Sequence, residues 1–196
     1  MEGALACALR RWSPEIGDPS AMGWATVAGY FAAAMLALAV AARPGRFPAE
    51  SRRREALFWA GMVLVLLALG INKQLDLQSF ATAIGRCVAQ AGGWYEARRP
   101  VQLAAVLALA GAVCLGGLGL ALLLRGTLAR NGLALAGLVA LGGFVLVRAV
   151  GFTHVDRLIN LDLAGLRVNW MLELGAIALA AAGARRALAR APAAPC

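Results

Sequence analysis

Apolar residues along this chain run in long unbroken blocks, separated by short connections rich in arginine. Five such blocks predict helices over about residues 22–42, 56–72, 100–124, 132–152 and 168–185. A helix needs roughly 20 residues to cross the hydrocarbon of a bilayer. The first and third blocks reach that length with apolar residues alone. The second, fourth and fifth reach it only if their polar ends also enter the membrane, and those ends hold Asn72, Lys73, Arg148, Asn169 and Glu173. Local signals agree with these bounds. Asp18-Pro19-Ser20 is a helix start, Arg43-Pro44-Gly45 is a stop, and Pro100 suits a first helical position.

A sixth segment has a different pattern. Leu77, Phe80, Ala81, Ile84 and Val88 recur at helical spacing opposite Gln78, Thr82 and Arg86, which predicts an amphipathic helix over about 75–91 lying flat on the membrane surface. Gly92-Gly93 ends it, and Trp94-Tyr95 suit the headgroup zone. It is read either as a plain interfacial anchor or as a lid over a polar pocket.

The expected fold is therefore all-α: a polytopic membrane helix bundle of about five transmembrane helices plus one interfacial helix. Composition supports lipid as the solvent. Hydrophobic residues make up 61% of the 196 positions, and mean hydropathy is +0.73. A soluble domain of this size has to present more polar surface to water. The expected organisation is an extracytoplasmic tail over 1–20, one transmembrane domain over 21–187, and a cytoplasmic tail over 188–196. Ala4–Leu9 is too short for a signal peptide, and Arg10-Arg11 follow it instead of preceding it, so the tail is expected to remain.

The formal charge of +9 raises nucleic acid as a partner. No basic stripe interleaved with aromatics appears, and the arginines cluster in connections where they orient helices and meet anionic headgroups, so nucleic acid is set aside. Arg43, Arg46, Arg52, Arg53, Arg54, Arg125, Arg130, Arg185, Arg186 and Arg190 fall on one side, densely spaced. The positive-inside rule makes that side cytoplasmic, with the N-terminus outside and the C-terminus inside. Lys73 is the only lysine; this arginine bias, with abundant Ala and Gly, suggests a bacterial source and hence the inner membrane.

Three short helices bring polar residues to the opposite face. Helix two ends in Asn72, Lys73 and Asp76. Helix four carries Arg148 before Thr153, His154, Asp156 and Arg157. Helix five starts with Arg167, Asn169, Trp170 and Glu173. Arg148 and Glu173 lie at similar depth, roughly 6 Å from their helix ends, and are expected to form an ion pair. Lys73 is read as interfacial. These charges either pin the bundle or line a water-accessible pocket.

His154 near Asp156 is the candidate catalytic pair, since an imidazole beside a carboxylate suits acid–base work near neutral pH. A single histidine excludes bis-histidine haem within the chain and a multi-histidine metal site. No P-loop, GxGxxG, HExxH or GxSxG occurs, and no metal or cofactor is expected. The cysteines Cys7, Cys87, Cys114 and Cys196 form no CxxC pair; Cys7 and Cys87 fall on one side, which allows a disulfide. Glycines at 111, 116, 117 and 119, and at 137, 142 and 143, either permit close helix packing or reflect ordinary membrane-helix composition.

The run Asn72-Lys73-Gln74-Leu75-Asp76-Leu77-Gln78, followed by Gly93-Trp94-Tyr95-Glu96 and Arg98, resembles a motif pair in a group of bacterial multi-span membrane proteins of uncharacterised activity. Phe152–Asp156 and Asn169–Glu173 resemble the same pattern. The resemblance implies a multi-helix bacterial membrane protein and supplies no cofactor or catalytic residue. Three functions stay open: a binding or accessory component with partner membrane subunits or a homo-oligomer, a membrane-embedded enzyme acting on a lipid-linked or headgroup substrate, and a small oligomeric transporter.

Overall fold

The computed structural model describes residues 3–13, 16–150, 162–163 and 166–190. Helix α1 spans Ala4–Arg11, α2 Ala21–Ala41, α3 Arg52–Leu75, α4 Leu77–Ala91, α5 Arg98–Leu123, α6 Leu128–Val150 and α7 Val168–Ala189. A ribbon of two residues per strand, β1 Asp162–Leu163 antiparallel to β2 Leu166–Arg167, precedes α7. The architecture is all-α. Among the described residues, four segments are long and apolar enough to cross a membrane: Ala21–Ala41, Arg52–Leu75, Tyr95–Leu123 and Leu128–Leu146. Helix α7 has comparable length but carries Asn169, Glu173, Arg185 and Arg186, and is not among those four.

Local chemistry explains the helix ends. Ser20 caps α2 by accepting a hydrogen bond from the Gly23 amide at 3.0 Å. Asp76 takes φ 45°, ψ 48°, the left-handed region that Asp tolerates better than most residues. That single residue ends α3 and lets α4 leave in a new direction. Helix α3 also begins four residues earlier than the apolar block predicts, because Arg52, Arg53 and Arg54 form its first turn.

In space the long helices pack in the order α3, α2, α7, α6, α5. Tyr30, Phe58, Trp59, Met62, Leu66, Leu141, Ile177 and Ala180 form the centre of the core. Lipid tails are as apolar as these side chains, so close packing rather than water exclusion holds the helices together. The α6–α7 contact is the tightest. A Cβ at Gly137 would stand 2.5 Å from the Ala180 amide nitrogen, and one at Gly183 would stand 2.5 Å from that of Ala134. Gly117 and Gly142 face Val139 and Val113 between α5 and α6, whereas Gly111, Gly116, Gly119 and Gly143 have open space around them. Helix α5 packs chiefly on α6 and buries no residue.

The first twenty residues do more than form a tail. Helix α1 lies on α4, with Trp12 and Phe80 rings 4.8 Å apart and a disulfide joining Cys7 to Cys87. Part of the apolar face of α4 is thus covered by protein, while Leu77 and Val88 remain exposed. Cys114 is free and exposed on α5.

Candidate functional site

Helix ends place the charges. Lys73 sits in the last turn of α3, where the C-terminal dipole favours a cation. Glu173 sits in the second turn of α7. The two meet across the bundle, Lys73 Nζ to Glu173 Oε2 at 2.6 Å, with side chains only 7% and 4% exposed. Tyr30 of α2 donates its hydroxyl to Glu173 Oε1 at 3.0 Å, so both carboxylate oxygens are satisfied. Gly70 allows this approach: Tyr30 Cβ would lie 3.1 Å from a Cβ at position 70.

The stretch before α2 completes the arrangement. Asp18 accepts from Ser20 Oγ at 2.6 Å and from Trp170 Nε1 at 3.2 Å, and lies 3.8 Å from Lys73 Nζ. The Gly17 amide donates to the Gln74 carbonyl at 2.9 Å, tying the segment to the end of α3. Partial burial pushes the Asp18 carboxyl up; hydrogen bonds from Ser20 and Trp170, with the Lys73 charge, outweigh it and hold the group below the usual carboxylate value.

Around this core lies a cavity of about 590 Å³. Its wall includes Asp18, Ser20 and Tyr30 from the N-terminal side, Leu69, Asn72, Lys73 and Asp76 from α3, Phe144, Val145 and Arg148 from α6, and Arg167, Asn169, Trp170 and Glu173 from the start of α7. The structure thus brings Asn72, Lys73, Asp76, Arg148, Asn169 and Glu173 to one place. His154, Asp156 and Arg157 lie outside the described residues, as does Thr153.

One expectation needs correction. Glu173 pairs with Lys73 and Tyr30, not with Arg148, which lines the same cavity as an exposed side chain. The compact ammonium on the last turn of α3 reaches the carboxylate from across the bundle. The Lys73 side chain is accordingly buried against the bundle, 7% exposed. Asp18 and Tyr30 belong to the site yet were not anticipated as its members, whereas Trp170, expected at this face, lines the cavity. The Ser20 cap signal marked where Asp18 lies, but nothing in the spacing linked it to α7.

A second polar cluster lies at the other end of the bundle. Glu55 of α3 is fully buried, accepting from Arg130 Nη2 at 2.6 Å and from Asn131 Nδ2 at 2.7 Å. Trp59 Nε1 donates to Asn131 Oδ1 at 3.0 Å. These bonds join α3 to α6, which otherwise do not pack along their lengths. Both Glu55 oxygens, the Asn131 side-chain amide and the Trp59 indole are taken up within the cluster, so it acts as a clamp. Arg130 counted only as an orienting charge in the sequence, yet it also closes this clamp.

A bundle of apolar helices with a charged cavity at one end and a polar clamp at the other defines a polytopic α-helical membrane protein. Compared with family models, with curated proteins and with solved structures, the chain finds no match in any of the three.

Proposed function

We propose that this chain is a multi-pass component of a bacterial inner membrane that binds a ligand or partner through a polar site at the outer leaflet, and serves as an accessory subunit of a larger membrane complex. The observation that carries this reading is the cavity above the Lys73–Glu173 pair. Ionisable side chains within helices of a membrane bundle are costly, and they usually mark a binding or transport path. Helix α5 supports the accessory role, since none of its 26 residues is fully buried and it leaves an apolar face for lipid or a partner helix.

The N-terminus is placed outside and the C-terminus in the cytoplasm. Arginine density supports this orientation. So does the Cys7–Cys87 disulfide at the cavity end, because such bonds persist in oxidising compartments such as the periplasm. The likeness of the Asn72–Gln78 and Gly93–Arg98 stretches to bacterial multi-span proteins is in keeping with that membrane. Gentle extraction from native membranes should recover a stoichiometric membrane partner. A clean monomer obtained from the native membrane overturns the accessory role. Reporter fusions after Gly92 and after Arg190 should report periplasm and cytoplasm respectively, and the reverse result overturns the orientation.

A further inference from the structure

The cavity has a vertical gradient of chemistry. Leu69 and Phe144 lie one helical turn deeper than Lys73 and Arg148 on the same two helices, roughly 6 Å toward the bundle centre. Its floor is apolar and its rim is charged.

The rim charges are unequally committed. Glu173 is held by Lys73 and Tyr30, Asp18 by Ser20 and Trp170, and Asp76 by Ser79. Two rim guanidiniums have no such commitment. Among the described side chains neither Arg148 nor Arg167 has a carboxylate within 4.0 Å, and Arg167 instead stacks 5.2 Å from the Trp170 ring centroid. One acceptor is also unfilled: the side-chain oxygen of Asn169 is buried at the wall with no donor among the described residues. The set therefore offers cationic forks for a phosphate, one acceptor for a hydroxyl, and an apolar floor for the start of an acyl chain.

We infer that the cavity seats an anionic phospholipid of the phosphatidylglycerol type, its phosphate on Arg148 and Arg167, a headgroup hydroxyl donating to Asn169, and its chain running down past Leu69 and Phe144. The inference rests on the reading of the cavity as a binding site and adds the class of ligand. Arginine is suited to the role because its planar fork matches phosphate oxygens.

The test is native mass spectrometry of the purified, delipidated chain titrated with phosphatidylglycerol or phosphatidylcholine, with glycerol phosphate as a soluble competitor. Wild type should retain a single phosphatidylglycerol in preference to phosphatidylcholine. The double variant Arg148→Gln/Arg167→Gln should weaken that binding about tenfold or more. Both side chains are exposed, so thermal stability should hardly change. Arg52→Gln/Arg53→Gln, at the other end of the bundle, should leave the affinity intact. Equal retention of the two lipids, or equal weakening by both double variants, overturns the proposal. Displacement of the lipid by an equimolar amount of glycerol phosphate overturns the amphiphile and makes a water-borne phosphate the ligand. Lipid binding by a chain without a protein partner overturns the accessory reading alone, and a stable partner without lipid preference overturns the lipid site alone.

Discussion

Lys73 and Glu173 lie 100 residues apart in sequence and 2.6 Å apart in space, tying the last turn of α3 to the first turns of α7. Neither helix packs directly along the other; α2 lies between them and contributes Tyr30 to the same carboxylate. Three helices therefore meet at one end on a buried ion pair and one hydroxyl.

Breaking that pair from one side leaves a charge stranded. Lys73→Met and Glu173→Gln should each cost about 3–5 kcal/mol, while Lys73→Met/Glu173→Leu should cost clearly less than the sum of its single changes. Denaturant unfolding in mixed micelles measures this cycle. Strict additivity would remove the pair from the account. Arg148→Ala should by contrast be nearly neutral, and its effect should add to that of Glu173→Gln.

At the opposite end, Glu55 depends on Arg130 and Asn131 for its charge balance and hydrogen bonds. Asn131→Leu removes a donor to Glu55 and the acceptor of Trp59, and should destabilise by roughly 2–4 kcal/mol. Trp59 emission should shift as its indole loses that partner; an unchanged spectrum in an equally stable variant contradicts the clamp.

Gly137 admits no side chain without moving backbone. Gly137→Val should lower the melting temperature far more than Gly143→Val, since position 143 faces open space and position 137 faces the Ala180 amide. Comparable losses at both positions would dismiss the close α6–α7 approach.

Acid should weaken the cavity end. Asp18 titrates lower in the folded chain than at its ordinary value of 3.8, so its stabilisation is complete above that value. It is lost as pH falls through the folded value. Asp18→Asn should be less stable than wild type near neutrality, and the gap should narrow in acid. A gap that stays constant down to strongly acid pH would show that the Asp18 charge contributes nothing.

Much of the fold was legible because hydropathy blocks report directly on which backbone stretches can sit in lipid. The start of α2 and the end of α4 followed from Ser20 and Gly92, whereas α6 begins at Leu128, four residues ahead of its apolar run. That Asn72, Arg148 and Glu173 share one end was also legible, because alternating helix direction fixes which termini coincide. Partner choice was not. Depth along a helix can be counted from sequence, but the rotation of α3 that turns Lys73 inward depends on the Gly70–Tyr30 contact. Glu55 was missed for a related reason. A carboxylate in a first helical turn beside three arginines looks solvated until α6 delivers Asn131 against it. The union of α1 with α4 was legible only as a disulfide that a shared side allowed between Cys7 and Cys87, because eight residues cannot carry an interfacial pattern of their own.

The Cys7–Cys87 bridge has one more effect. Together with the backbone between them, the two cysteines make a covalent ring that contains all of α2 and α3. A protease nicking the Arg43–Glu50 connection would open the ring without releasing either piece. The nicked protein should migrate as one species on a denaturing gel and divide in two only when a thiol reductant is added.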